Sequence, residues 1–402
     1  MQLREWNARL HGLVVFRALL GDPVVAKLAA LTDRLEAADD SIAPLCDAVA
    51  AFEAALFAHT TNLGDYLSNA VLETETFCVR QAAAGQLSPV MEAALNSELN
   101  FLQKLCGLTL DALLEAADRQ NRELAFLPRW EARQLDLTAA YNQRMREAGK
   151  KGYGMFAKHH VFTVENGQLV PVKYPDPQKL SELPGYEKER EKVIANTRAL
   201  LAGSPANNVL LYGDAGTGKS STVKAIANEY AADGLRLVEV KKNQLYQIPD
   251  LMDQLAANPL KFILFIDDLS FSSNDDNFAA LKAILEGSVG GRAGNIAVYA
   301  TSNRRHLIKE TLTDREGDDI HESDTRQELM SLSARFGLTI TFGSPDRERY
   351  LHIVEELAKQ YGVELDPRQL AVRSEAFAVR SGGRSARVAK QFIELCKAGV
   401  FS

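Results

Sequence analysis

No stretch of this chain is apolar for long enough to span a bilayer; its hydrophobic runs are short and interrupted, where a membrane helix needs roughly 18 or more such residues. A helical span is therefore not expected. Cysteine is scarce, four in 402 residues (Cys46, Cys78, Cys106, Cys396), far apart and with no C-x-x-C pair. That excludes a disulfide scaffold or a zinc ribbon, and the mostly apolar helical surroundings read as buried thiols. Positive charge is not in excess either. Lys and Arg number 46 against 53 Asp and Glu, a net charge of −7, so the bulk field makes no case for nucleic acid or an anionic membrane and leaves open only a local basic groove. The opening Met1-Gln-Leu-Arg-Glu-Trp6 lacks the apolar core of a secretory signal. The expectation is a cytoplasmic protein without membrane insertion.

What the chain does have is a complete phosphate-binding loop, Leu210-Leu-Tyr-Gly-Asp-Ala-Gly-Thr-Gly-Lys-Ser220. Gly213, Gly216 and Gly218 permit backbone conformations in which successive N–H groups turn inward around a phosphate. A helix starting at the loop's end adds free N–H groups and partial positive charge. In the G-x-x-x-x-G-K-[ST] pattern, Lys219 reaches the β- and γ-phosphates and the Ser220 hydroxyl ligates Mg²⁺. Asp214, Ala215, Thr217 and Ser221 complete the expected cradle. The apolar strand before it and the helical composition after it supply the context the motif needs.

Residues 1–155 read as a helical accessory domain, with apolar positions recurring at helical spacing and no reactive cluster. Residues 156–184 read as a small hairpin, turning at Glu165-Asn-Gly-Gln168, and a proline-punctuated linker. Adjacent His159 and His160 lack a third ligand and are expected to be solvated or structural. From 185 to 343, apolar strands at 208–212, 235–240, 261–266, 295–300 and 338–342 alternate with helices, which predicts a three-layer α/β core of the P-loop NTPase class with a mainly parallel sheet. Residues 344–402 return to helix and would form a lid.

The second strong motif is Lys261-Phe-Ile-Leu-Phe-Ile-Asp-Asp-Leu-Ser270. A buried strand delivers two carboxylates at its C-terminal end, where open α/β sheets bind ligands. Asp267 is the candidate to hold Mg²⁺ opposite Ser220, and Asp268 to polarise the attacking water. Helix capping is the bland alternative for either. The short aspartate reach points to slow hydrolysis.

Residues from about 180 to 396 resemble the AAA+ ATPase superfamily. The similarity is closer to a family of bacterial predicted AAA+ ATPases once grouped as a domain of unknown function. Its carriers are Leu183-Pro-Gly-Tyr-Glu187, the phosphate loop, Phe265-Ile-Asp-Asp-Leu-Ser-Phe271, Tyr299-Ala-Thr-Ser-Asn-Arg-Arg-His-Leu307 and Leu332-Ser-Ala-Arg-Phe-Gly-Leu338. The resemblance implies that Gly185 and Tyr186 line the adenine side of the pocket. It places Asn303 at the sensor position, with Thr301 or Ser302 as alternatives if the register slips. Arg335 resembles the arginine finger inserted into a neighbouring subunit's site, suited by its rigid paired donors to the charge on a γ-phosphoryl group. Arg387 fits the lid sensor best, with Arg384 close enough to compete.

By the same resemblance the expected activity is Mg²⁺-dependent ATP hydrolysis by a homo-oligomer, a hexamer being one form. The helical first domain would address an unknown protein partner or, alternatively, only stabilise the assembly. A nucleotide-controlled scaffold with little turnover and a nucleic-acid-dependent ATPase stay open, although no helix-turn-helix, zinc finger or long basic stripe is present. No N-K-x-D-like element supports guanine specificity. The acidic segment Asp314 to Asp324 reads as a solvated loop without Ca²⁺-loop spacing. Lys241, Lys242 and Tyr246 follow the second strand, where some AAA+ machines place pore residues, but the aromatic–glycine pattern is missing.

Overall fold

A computed structural model describes residues 3–37, 41–83, 87–118, 124–269, 277–286, 294–303 and 335–401. The chain divides into two compact units, Met1–Lys158 and His159–Ser402.

The first unit is helical. Its longer helices are Pro23–Glu36, Ile42–Phe57, Leu63–Glu73 and Pro89–Cys106. Each buries one apolar stripe in a core that includes Phe16, Phe52, Leu99 and Trp130, as amphipathic spacing dictates. Asp22 starts Pro23–Glu36 by accepting from the N–H groups of Val24 and Val25, at 3.0 and 3.1 Å; Pro23 stands at the first turn, where a missing N–H costs nothing. Trp130 packs edge-on against Phe52, with 4.8 Å between ring centroids, and donates its indole N–H to Leu108 O at 2.8 Å. Cys78 and Cys106 are buried, Cys46 and Cys396 half-buried, and all four are free thiols. No helix among the described residues is long and apolar enough to cross a membrane.

The second unit is built on a seven-stranded sheet. The strands are β1 Val161–Glu165, β2 Gln168–Pro171, β3 Val209–Gly213, β4 Leu235–Glu239, β5 Lys261–Ile266, β6 Ile296–Ser302 and β7 Leu338–Phe342. Their order across the sheet is β2-β1-β4-β5-β6-β3-β7. All neighbours run parallel except the β1–β2 hairpin, whose turn residues Asn166 and Gly167 both have positive φ, as a tight two-residue hairpin requires. The hairpin joins the sheet edge through β1 and β4. β5 and β6 are buried almost throughout, the near-continuous apolar character of parallel strands covered on both faces.

Helices Glu187–Leu201, Lys219–Glu229, Ile248–Ala256 and Asn277–Glu286 accompany the sheet. The C-terminal bundle comprises Arg347–Tyr361, Pro367–Arg380 and Ala386–Lys397, capped by Asp346, Asp366 and Ser385. The architecture is the expected α/β core with a helical region before it and a helical bundle after it. The acidic segment 314–324 lies outside the described residues.

Candidate nucleotide site

Strand order decides what meets what. β6 lies between β3 and β5, so its C-terminal end separates the phosphate loop from the paired aspartates. The β5–β6 register sets Ile266 opposite Ala300, bringing Thr301 beside Asp267 and Asn303 between Lys219 and Asp268.

Gly213 ends β3 at φ +136°, and a Cβ there would lie 2.1 Å from Phe342 O; only glycine allows the chain to turn so close to β7. Gly216 and Gly218 follow in the left-handed region. Lys219 opens its helix, is buried, and donates from Nζ to Gly213 O, Asp214 O and Asn303 Oδ1 at 2.8, 2.7 and 3.0 Å. Burial lowers its pKa, opposed by the charges of Asp214, Asp268 and Asp267. Ser220 Oγ donates to Asp267 Oδ1 at 2.6 Å. Thr301 Oγ1 donates to the same oxygen at 2.5 Å and accepts from Asp268 N at 2.9 Å. Asn303 Nδ2 donates to Asp268 Oδ1 at 2.7 Å.

Asp268 has φ +51°, a left-handed conformation that aspartate tolerates better than most side chains but which still carries strain. Two chains of contact result. One runs Ser220–Asp267–Thr301, the other Lys219–Asn303–Asp268, side by side at the mouth of the loop.

These residues border a cavity of about 1020 Å³ that also admits Ala215, Thr217 and Ser221. Arg387 lines it too, anchored by its backbone N–H on Gly216 O at 3.0 Å. Arg384 does not. Its guanidinium makes paired bonds to Glu375, 3.0 and 2.7 Å, and it is absent from the cavity wall, so of the two lid arginines the structure brings only Arg387 to the loop.

Gly185 and Tyr186 also depart from the adenine-side placement. Both have positive φ, and this turn sends the Tyr186 ring into the core, where it stacks on Phe342 at 5.3 Å and donates its hydroxyl to Gly343 O at 2.6 Å. The neighbouring Leu183 and Pro184 line the cavity instead, with Ile353 and Leu357 of the C-terminal bundle. Asp214 points out of the cradle; its Oδ2 accepts from Ser344 N and Oγ at 2.7 and 2.8 Å, which holds its carboxyl below the usual carboxylate range. Arg335 is half-buried beside the buried Phe336 and is not among the cavity-lining residues.

Ser344 is an addition to the sequence-derived set, and Thr301, an alternative sensor there, meets Asp267 and the backbone of Asp268. Thr301 lies within β6, two positions before Asn303, which follows the strand end. Nothing in the sequence linked Ser344 to Asp214. His160 bonds Asn228 at 2.9 Å, and no metal-ligand cluster occurs among the described residues.

The sequence pattern described as "Protein of unknown function (DUF815)" matches residues 156–400, which includes every strand of the sheet and the whole candidate site. The chain belongs to this family. The matched span carries the phosphate loop, the paired carboxylates and Asn303 in the chain order expected from the sequence. Similar curated proteins are the replication factor C large subunits of Staphylothermus marinus, 31% identical over 141 residues (35% of this chain, 29% of the relative), and Methanococcus maripaludis, 24% identical over 212 residues (52% and 38%). The chain thus spans well under half the length of these relatives. Among solved structures, the Thermotoga maritima RuvB Holliday junction branch migration motor aligns at 16% identity over 55% of this chain and 72% of that one, with a TM-score of 0.33.

Proposed function

We propose that this DUF815 protein is a Mg²⁺-dependent ATPase working as an oligomer, its cycle coupled to the remodelling or regulation of a partner. The observation that carries the reading is the meeting of Lys219, Asn303 and Asp268 beside Ser220, Asp267 and Thr301 at the end of one sheet. Their donor chemistry fits MgATP: hard oxygens from Ser220 and Asp267 share one short bond, as neighbouring ligands of a small divalent cation would, beside a loop of backbone N–H groups and a buried ammonium suited to phosphates. Bound Mg²⁺ would neutralise charge on the β- and γ-phosphates.

The chain's own residues then divide the work. Lys219 and the loop amides from Gly213 to Ser221 hold the phosphates, and Thr301 fixes the Asp267 carboxylate. Asp268 orients and polarises water. Asn303 reaches from Lys219 to Asp268, so one amide spans the distance between phosphate cradle and base. Arg387 reports lid position, and Arg335 of a neighbouring copy completes the charge clamp. Leu183 and Pro184 take the base-side role first assigned to Gly185 and Tyr186.

One observation favours a second reading, a nucleotide-controlled scaffold with little turnover: the Asp268 carboxylate is already engaged by Asn303. Multiple-turnover phosphate release separates the two. Lys219→Ala should lose triphosphate binding; Asp268→Asn should bind ATP and lose turnover; activity should rise with protein concentration as copies assemble. Unchanged ATP affinity of Lys219→Ala would sink the ATPase and scaffold readings together, and undiminished turnover of Asp268→Asn would remove Asp268 as base. Capture of a protein partner by full-length protein but not by a chain starting near Ser181 would assign partner binding to the helical unit. Salt-sensitive stimulation by DNA or RNA would direct the reading to nucleic acid.

A further inference from the structure

Besides the phosphate-loop residues the cavity is lined by the apolar Leu183, Pro184, Ile353 and Leu357, with Arg190 among polar neighbours that include Glu182 and Gln360. Arg190 stands one turn into the helix Glu187–Leu201, which begins directly after the Gly185–Tyr186 turn. That turn buries Tyr186 on the core side and leaves Leu183, Pro184 and Arg190 bordering the cleft. The residue is only 7% exposed. Its one side-chain hydrogen bond among the described residues runs from Nη2 to Glu187 Oε1, a long 3.3 Å, to a side chain that is itself 63% exposed.

A guanidinium has five N–H donors and no acceptor, and Arg190 engages Glu187 through one of its nitrogens. Desolvation lowers the Arg190 pKa, opposed mainly by Glu187 and Glu189, yet arginine starts so high that it stays charged. A buried pure donor beside an apolar slot suits a flat heterocycle with an unprotonated ring nitrogen. A nucleotide whose phosphates occupy the loop would direct its base toward this wall.

We propose that Arg190 is the base-reading residue of the cleft, donating to a ring nitrogen of adenine while Leu183, Pro184, Ile353 and Leu357 cover the ring. The assignment rests on the reading of the cleft as an ATP site. It adds a specificity-determining contact to that site.

Calorimetric titration of the full chain with ATP, 1-deaza-ATP, 3-deaza-ATP, 7-deaza-ATP and inorganic tripolyphosphate, each with Mg²⁺, tests it on wild type, Arg190→Met and Arg190→Lys. Arg190→Met should lose about tenfold in ATP affinity, the equivalent of about 1.4 kcal/mol, with tripolyphosphate affinity unchanged. One deaza analogue should bind wild type about tenfold more weakly than ATP and bind Arg190→Met as well as ATP does. Arg190→Lys, which keeps the charge without the planar fork, should fall between. Equal losses for ATP and tripolyphosphate would make Arg190 structural and overturn the proposal. So would wild type binding all three deaza analogues as tightly as ATP, an outcome that needs no variant to fold. Failure of wild type to bind either ATP or tripolyphosphate would overturn the ATP reading itself and this assignment with it.

Discussion

Asp214→Ala isolates one joint between the phosphate loop and the strand end that leads into the C-terminal bundle. In the wild type, Asp214 Oδ2 accepts from both Ser344 N and Ser344 Oγ. The Ser344 hydroxyl contributes most to the lowered pKa, then its backbone N–H, with the Lys219 charge adding to them. Charge-assisted hydrogen bonds contribute about 1.5–3 kcal/mol when sheltered. Asp214 is exposed, so water screens the pair and the combined effect should be about 1 kcal/mol.

Because the folded-state pKa is depressed, this stability is complete above the unfolded value, near 3.9, and is lost as pH falls through the lower folded value. Urea unfolding of the full chain, followed by far-ultraviolet circular dichroism, should show Asp214→Ala less stable by about 1 kcal/mol at pH 7, with the difference fading below about pH 4. A difference of the same size at pH 7 and pH 2.5 would refute the electrostatic argument, and no difference at pH 7 would show that the Ser344 contact holds nothing.

Gly213→Ala should melt at a visibly lower temperature, by at least about 2 kcal/mol, because the new Cβ meets Phe342 O at 2.1 Å; an unchanged melting curve would refute that close approach. Arg387→Ala should weaken nucleotide binding or turnover, whereas Arg384→Ala should break the exposed Glu375 pair, change stability little and leave ATP affinity intact, and the reverse pattern in a binding titration would exchange their roles. Glu53 is buried with neither carboxylate oxygen hydrogen-bonded among the described residues, and burial raises its pKa against the pull of Arg129. A raised carboxyl pKa stabilises the fold below the unfolded value and loses that advantage as pH rises through the folded one, so Glu53→Gln should be more stable than wild type at pH 7.5 and indistinguishable near pH 4, read by tryptophan fluorescence.

How far the site could be read in advance follows from which contacts are local in sequence. The phosphate loop carries its own geometry in its glycines, and the apolar run before Asp267 could only be a buried strand, so both were legible residue by residue; the five core strands fell within a residue or two of their observed ends. The paired use of Asn303 was not local. It depends on β6 lying between β3 and β5, a fact of strand order that periodicity does not encode, and the same insertion explains why Thr301 joins Asp267. Tyr186 shows the opposite limit: the family resemblance implied a place with Gly185 on the adenine side, but consecutive positive φ values at Gly185 and Tyr186 turn the ring inward, where stacking on Phe342 and a bond to Gly343 O satisfy both its ring and its hydroxyl. The turn that buries Tyr186 is also what brings Arg190 to the cleft. A residue with no motif of its own therefore takes a place at the base end, and burial with few partners is the only signal that marks it.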